Sequence, residues 1–175
     1  MHPAFSLQGQ VALITGAGAE QGIGMACARL LARARALNVP VIHIQHDAGP
    51  GTPFDIRGES GAFIDTVAPQ PGETVVVKHF PNAFVGTDLD AHLKALGTRH
   101  LVIAGFMTHN CVNSTARGAY NLGYSFSVPG NATATRALPG IGGGELDAAT
   151  LQAALLVALT DVFGVVVADE AEIPD

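Results

Sequence analysis

Cys111 stands where the sequence predicts the junction of a buried strand and a helix. The apolar run 100–104 is typical of a strand covered on both faces, and Gly105 allows the chain to turn sharply after it. Thr108 is a good N-cap for a helix predicted to run to about Leu122. The first helical turn then holds Cys111, where unpaired amides and the helix dipole favour a thiolate. The position suits a nucleophilic sulfur, although a buried structural cysteine is the commoner use of this residue type.

Lys78 is the second side chain placed for chemistry. It directly follows three consecutive valines in a strand predicted over 73–77, so it is carried at the carboxyl end of that strand. Open α/β sheets place their sites at this edge. An ammonium within a few ångströms of a thiol would lower the pKa of the thiol and orient the reaction. The alternative is that Lys78 is an ordinary lysine in contact with solvent.

Together the two segments resemble the motifs of the isochorismatase-like cysteine hydrolases, a superfamily that includes nicotinamidases and carbamoylsarcosine-type amidohydrolases. The nucleophile motif is matched by Gly105-Phe106-Met107-Thr108-His109-Asn110-Cys111-Val112, with Thr115-Ala116 and Gly123-Tyr124. The lysine motif is matched by Val75-Val76-Val77-Lys78, with Asn82-Ala83-Phe84 and Thr87-Asp88-Leu89. The resemblance covers about residues 30–173 and implies a homo-oligomer that acts on a small molecule.

The resemblance also implies a mechanism. Cys111 would attack a small amide, imide or enol ether and form a covalent intermediate, with Lys78 as its catalytic partner. The backbone amides of Met107 and Cys111 would form the oxyanion hole, and a cis peptide bond is expected between Phe106 and Met107. No cofactor is implied.

This sequence lacks acidic residues at two positions where the family usually has them. The family takes the thiol proton with an aspartate after the first strand, but here that strand ends Ile14-Thr15-Gly16. Asn131 stands where an acidic residue usually precedes an Ala-x-Ala-like turn. We therefore expect an impaired hydrolase, and a folded but non-catalytic member or hybrid is the alternative.

The N-terminal stretch resembles a different family. Residues 5–31 are similar to the opening of short-chain dehydrogenases, with the glycine loop Gly16–Gly24 lengthened by Glu20-Gln21, and Asp47 stands where an acid could meet a ribose. The resemblance stops near Leu31, and no Tyr-x-x-x-Lys pair follows. We expect that the N-terminal stretch was joined to a hydrolase sequence to give a chimeric chain. Its glycines are then expected only to form the turn between a strand and a helix, and nucleotide binding by this loop is the alternative.

Metal binding is not indicated. His43 and His46 lie three residues apart in a strand predicted over 40–46, so their side chains point to opposite faces. The sequence around them does not match the Asp-x-His metal motif of some family members. We predict no metal.

Aromatic and imidazole side chains near the two motifs are the candidates for a substrate pocket. Residues 48–73 are rich in glycine and proline and are predicted to be mainly loop, with one helical turn near 61–67. The weakly supported pocket candidates are Phe54, Phe84 and His109.

Composition sets the remaining expectations. A chain of 175 residues with 48% hydrophobic residues suits one domain over 1–175, and alternating strands and helices predict a three-layer α-β-α sandwich with a mostly parallel sheet of five or six strands. The net charge of −6 and nine scattered basic residues disfavour nucleic acid and anionic membrane. Because no apolar run approaches the ~18 residues of a membrane span and the two cysteines read as free thiols, we expect a cytoplasmic protein.

Overall fold

The computed structural model describes residues 9–15 and 23–175. The strands in chain order are β1 (Val11–Thr15), β2 (Val41–His46), β3 (Thr74–Lys78), β4 (His100–Phe106), β5 (Ser125–Pro129), β6 (Thr133–Ala134), β7 (Leu138–Pro139), β8 (Glu145–Leu146) and β9 (Val165–Val167). The α-helices are α1 (Ile23–Ala36), α2 (Leu89–Ala95), α3 (Asn113–Asn121) and α4 (Ala148–Thr160).

The main sheet has the strand order β3-β2-β1-β4-β5-β9, with β6 beside β4. Every pairing between these strands is parallel. The predicted three-layer sandwich is confirmed, and β6 and β9 bring the described sheet to seven strands where five or six were predicted. The strand order reverses between β1 and β4, and in such sheets ligands bind beyond the carboxyl ends at this switch point.

Consecutive residues of β4 supply both halves of the core. Leu101 and Ile103 pack into the cluster beneath α2 and α3, while Val102 and Ala104 pack into the cluster beneath α1. Burial on both faces is why this strand is apolar without alternation. The central strand is thereby fixed in register, which positions the turn that follows it.

Two helices differ in how deeply their leucines are buried. In α2, Leu89 and Leu93 are fully buried, and Lys94 pairs with Asp90 on the exposed side at 2.6 Å. In α4, Leu159 is fully buried, whereas Leu151 and Leu155 are half-buried.

The connection between β2 and β3 is mainly loop, as predicted. Short 3-10 turns occupy Glu59–Gly61 and Asp65–Val67. The side-chain amide of Gln45 donates to the Gly61 carbonyl at 2.8 Å and ties this loop to the end of β2. None of the helices in the described part of the chain is long and apolar enough to cross a membrane.

Candidate active site

The turn after β4 holds the cysteine in a geometry that the sequence did not predict. Instead of a helix capped by Thr108, a π-helical turn over Thr108–Val112 leads into α3, and Met107 precedes it with an extended backbone. The predicted N-cap is therefore wrong: the Thr108 hydroxyl is buried inside the turn and has no hydrogen-bond partner among the described residues. Cys111 still lies within the first helical turn and is half-buried.

Backbone geometry at the end of β4 turns the chain toward this position. Gly105 has a φ of +111°, a value that favours glycine, and the peptide bond between Phe106 and Met107 is cis, where the family resemblance implies such a bond. The Met107 carbonyl accepts hydrogen bonds from the amides of Asn110 at 3.0 Å and Val112 at 3.3 Å. These bonds fix the turn that carries Cys111.

Lys78 reaches the cysteine from β3, although β2 and β1 lie between β3 and β4 in the sheet. Its Nζ atom donates to the Sγ atom of Cys111 at 3.2 Å and to the Phe80 carbonyl at 3.0 Å, and it lies 3.1 Å from Nδ1 of His46. The residue is only 1% exposed. Among the described residues, no carboxylate forms an ion pair with this buried ammonium.

A cavity of about 480 Å³ opens onto these side chains. The residues that line it are Ile44, Gln45, His46, Pro53, Phe54, Ser60, Gly61, Ala62, Phe63, Lys78, His79, Pro81, Phe106, Met107, Asn110 and Cys111. The described lining is thus largely aromatic and aliphatic, with several amide and imidazole groups and no aspartate or glutamate. Such a cavity suits a small molecule with a few polar atoms.

The three pocket residues proposed from sequence have different outcomes. Phe54 lines the cavity, and its ring lies edge-on to the His46 ring at 5.6 Å. Phe84 is a wrong prediction, because it stacks on Tyr124 at 5.9 Å and packs against the core. His109 is also outside the described lining, since its Nδ1 atom pairs with the Thr135 hydroxyl.

His46 and its neighbours are the site residues that sequence reasoning missed. The parallel register of β2 and β3 pairs His46 with Lys78, so the two side chains meet at the carboxyl edge. His79 and Asn110 also line the cavity. The spacing of His46 along its own strand gave no signal for this contact, because the register between strands is a tertiary property.

Asp47 is the nearest acid in sequence to this edge, but its carboxylate is occupied. It accepts from the Gly49 amide at 2.9 Å and from both terminal nitrogens of Arg57 at 3.0 and 3.1 Å. These bonds lower the pKa of Asp47. The ribose contact that the dehydrogenase resemblance suggested would have to compete with Arg57.

Most of the predicted glycine loop Gly16–Gly24 lies outside the residues that the structure describes. Residues 16–22 lie outside the described part of the chain, and Gly24 belongs to α1. The backbone of Thr15 is described, and it lies at the carboxyl end of β1 between Ile44 of β2 and Gly105 of β4. Position 15 is therefore at the switch point of the sheet.

The second cysteine has a different environment. Cys27 lies on α1, is 1% exposed and donates its thiol to the Ala132 carbonyl at 3.4 Å. Burial raises the pKa of this thiol to about 12. Within the described ranges, no group of three or more histidine, cysteine, aspartate or glutamate side chains could hold a metal ion.

The chain is similar to several known proteins of one family. The chain is 37% identical to the secreted isochorismatase effector Isc1 of Verticillium dahliae, over 81% of this chain and 72% of that protein. It is 32% identical to the ureidoacrylate amidohydrolase RutB of Azorhizobium caulinodans, over 61% of this chain and 60% of that protein. A crystal structure of an isochorismatase from Pseudomonas putida KT2440 superposes with a TM-score of 0.89 at 32% identity, covering 95% of this chain and 91% of that one.

The sequence profile of the isochorismatase domain matches residues 9–170, which is nearly the whole chain. That match begins before β1 and includes most of the stretch that resembles a dehydrogenase, and the comparisons give no support to a dehydrogenase-like origin for it. The protein belongs to the isochorismatase family of hydrolases.

Proposed function

We propose that the chain is a cysteine hydrolase that cleaves a small amide, imide or enol ether through a covalent intermediate on Cys111. The observation that carries this proposal is the 3.2 Å contact between Nζ of Lys78 and Sγ of Cys111 at the wall of the cavity. A relative named as an amidohydrolase supports the amide class.

The buried lysine supports a nucleophilic sulfur. An ammonium removed from water needs an opposite charge, and the described residues offer Lys78 two neutral acceptors and one ionisable sulfur. A thiolate at Cys111 would supply this charge. The thiolate is the reactive form of cysteine, so the same contact stabilises the buried lysine and activates the nucleophile.

The electrophile would sit against the turn that carries Cys111. We assign the oxyanion hole to the backbone amides of Met107, which precedes the π-helical turn, and of Cys111, which lies within it. Attack by Sγ on a carbonyl carbon places negative charge on the carbonyl oxygen, and amides held by the fold stabilise it without reorganisation. For an amide or imide, breakdown of the tetrahedral species breaks the C–N bond, and the nitrogen leaves with a proton from water or Lys78. Water then hydrolyses the thioester, which releases the carboxylic acid and restores the Cys111 sulfur.

Protonation of the leaving group limits the expected rate. The family resemblance implies an aspartate after the first strand, but that strand ends Ile14-Thr15-Gly16, and no carboxylate lines the described part of the cavity. Positioned acids and bases commonly contribute about 10²–10⁴-fold to such reactions. We therefore expect slow hydrolysis in which water or Lys78 provides the leaving-group proton.

The test combines turnover with direct detection of the covalent intermediate. The purified chain is assayed for ammonia release from a panel of small primary amides and cyclic imides, and for acylation by 4-nitrophenyl acetate using intact-protein mass spectrometry. We expect one acetyl group per chain and its loss in Cys111→Ser, whereas the matched variant Cys27→Ser retains it. An unaltered chain that is never acylated would contradict the proposal and favour the non-catalytic alternative.

The association of copies is a separate expectation from the family resemblance. We propose a homo-oligomer that takes only a small-molecule substrate. Sedimentation velocity measures this directly, and a monomer at micromolar concentration would contradict it.

A further inference from the structure

We infer that His46 is a positioning residue of this site: its neutral imidazole accepts a hydrogen bond from Lys78 and holds the ammonium against Cys111, and its protonation weakens that arrangement. This inference rests on the proposed role of Cys111 and adds a control by pH. It concerns a residue that acts through Lys78 and does not itself attack the substrate.

Among the described residues, the Nζ atom of Lys78 has as many neighbouring hydrogen-bond partners as it has N–H donors. An ammonium has three N–H donors and no acceptor. In the described part of the chain its neighbours are Sγ of Cys111 at 3.2 Å, the Phe80 carbonyl at 3.0 Å and Nδ1 of His46 at 3.1 Å. Each proton therefore has one acceptor, provided that Nδ1 carries a lone pair.

This requirement fixes the state of the imidazole. If Nδ1 of His46 accepts from Lys78, the ring is neutral and its single proton is on Nε2. The ring is half-buried and is held from the side by Phe54, whose ring lies edge-on at 5.6 Å. This packing restricts the orientation of the ring, and Nδ1 is the ring nitrogen that lies 3.1 Å from Nζ of Lys78.

The charges around His46 favour its neutral form. Burial is the largest cause that lowers the pKa of His46, followed by the positive charges of Lys78 and His79, while Asp47 acts in the opposite direction. The Asp47 carboxylate is bonded to Arg57 at 3.0 Å, which offsets its charge. At neutral pH the imidazole is therefore an acceptor.

Protonation would change the contact from attraction to repulsion. A protonated imidazole has no lone pair on Nδ1, so Lys78 would lose one of its three acceptors and face a second cation at 3.1 Å. Both effects weaken the placement of the ammonium beside Cys111. Acidification then lowers the reactivity of Cys111 in two ways, by protonating the thiolate and by protonating His46.

The experiment measures Cys111 reactivity against pH in matched variants. Alkylation by iodoacetamide and acylation by 4-nitrophenyl acetate are followed from about pH 5 to about pH 8, a range that spans the ordinary pKa of histidine. His46→Asn keeps an acceptor oxygen near the position of Nδ1 but does not titrate, and His46→Leu removes the acceptor. His92→Asn removes an exposed histidine of α2, bonded to Asp88, and is the control.

We expect the alkylation and acylation rates of Cys111 in the wild-type chain to fall with decreasing pH more steeply than the titration of a single group would give. His46→Asn should retain most of the neutral-pH rate and lose reactivity over a single-proton curve. His46→Leu should label at least about tenfold more slowly at neutral pH, because a hydrogen bond to a charged group is lost. His92→Asn should follow the wild type.

The outcomes separate this inference from the proposed function. If His46→Leu and His46→Asn keep both the wild-type rate and the wild-type pH curve, the role of His46 is wrong while Cys111 remains a nucleophile. Loss of rate in His46→Asn equal to that in His46→Leu, with the fold intact by circular dichroism, would also overturn the acceptor role. If Cys111 is no more reactive than Cys27 in the wild type, the proposed function itself fails.

Discussion

Nζ of Lys78 lies 3.2 Å from Sγ of Cys111, and these two atoms come from strand ends that are separated by two other strands of the sheet. Lys78 is almost completely buried, so its charge cannot be balanced by water. Within the described part of the chain it contacts the Phe80 carbonyl, Nδ1 of His46 and the Cys111 sulfur, and of these three only the sulfur can carry a negative charge.

Cys111 is expected to react with iodoacetamide at pH 7 far faster than Cys27. Cys27 is 1% exposed, and burial raises its pKa to about 12, so almost none of it is thiolate at neutral pH. Peptide mass mapping after partial alkylation of the folded chain gives the two rates. Preferential modification of Cys27 would show that the assignment of the nucleophile is wrong.

Lys78→Met is expected to lower the alkylation rate of Cys111 at pH 7 by about tenfold or more, because the thiolate loses its cation. The matched control is Lys94→Met, which removes an exposed lysine paired with Asp90 on α2. Because removal of one partner of a buried pair destabilises a fold, circular dichroism first establishes that the variant is folded. Equal rates in the folded Lys78→Met variant and in the wild type would contradict the role of Lys78.

The sequence was sufficient to place Lys78 and Cys111 at the same edge of the sheet. Each follows an apolar run that is typical of a strand, and parallel strands end at a common edge. Of the three valines before Lys78, only Val76 is buried, because β3 is at the edge of the sheet. The local conformation around Cys111 was not predictable in the same way. A π-helical turn differs from an α-helical turn by one residue in its hydrogen bonding, and Thr108 suits the start of either.

Contacts made through tertiary packing account for the other misses. His46 meets Lys78 because of the register between β2 and β3, and no spacing within one strand encodes that register. Phe84 follows the lysine motif closely but stacks on Tyr124, which lies forty residues further along the chain. Sequence patterns located the edge that carries the site, whereas the choice of side chains that line the cavity depends on packing.

Glu73→Gln is expected to lower the free energy of unfolding at pH 7 by about 1.5–3 kcal/mol, the usual range for hydrogen bonds to charged groups. Glu73 directly precedes β3, and its carboxylate accepts from Arg35 at 2.8 Å, from the Gln70 amide at 2.8 Å and pairs with His43 at 2.8 Å. Chemical denaturation measures the change. Glu145→Gln, on the exposed strand β8, is the control and should differ little from the wild type.

The same carboxylate predicts how stability depends on pH. Arg35 is the largest cause that lowers the pKa of Glu73, from 4.5 to about 2. As the pH falls, the Glu73 carboxylate is therefore protonated at a higher pH in the unfolded chain than in the folded chain. Its contribution to the free energy of unfolding is complete above about pH 4.5 and is lost as the pH falls toward about 2. Glu73→Gln should flatten the acid loss of stability in this window. A variant with the wild-type slope would show that other groups dominate it.

The chain is expected to bind neither NAD nor NADP. The loop Gly16–Gly24 is two residues longer than the usual phosphate cradle, and the acid that could meet a ribose, Asp47, is bonded to Arg57. Isothermal titration calorimetry with each dinucleotide measures this directly. Micromolar binding of either one would contradict the prediction and favour the nucleotide-binding alternative.

Thr15→Asp is expected to raise hydrolysis at neutral pH by at least about tenfold, because it introduces a carboxylate at the switch point of the sheet. Position 15 pairs with Ile44 of β2 and Gly105 of β4, and β4 leads directly into the turn that carries Cys111. A carboxylate there can move a proton between the thiol and the leaving group, a role that commonly contributes about 10²–10⁴-fold. Thr15→Asn is the matched control, since it has the same shape and no ionisable group.

The pH-rate profile distinguishes the two ways in which the unaltered chain could work. Without a tuned acid, hydrolysis should be slow and should rise with pH as Cys111 ionises, with no plateau at neutral pH, whereas Thr15→Asp should reach a plateau. The profiles are measured with the panel of small amides on the wild type and on both Thr15 variants. Efficient turnover by the wild type at neutral pH, unchanged in Thr15→Asp, would mean that another group has taken over the proton transfer.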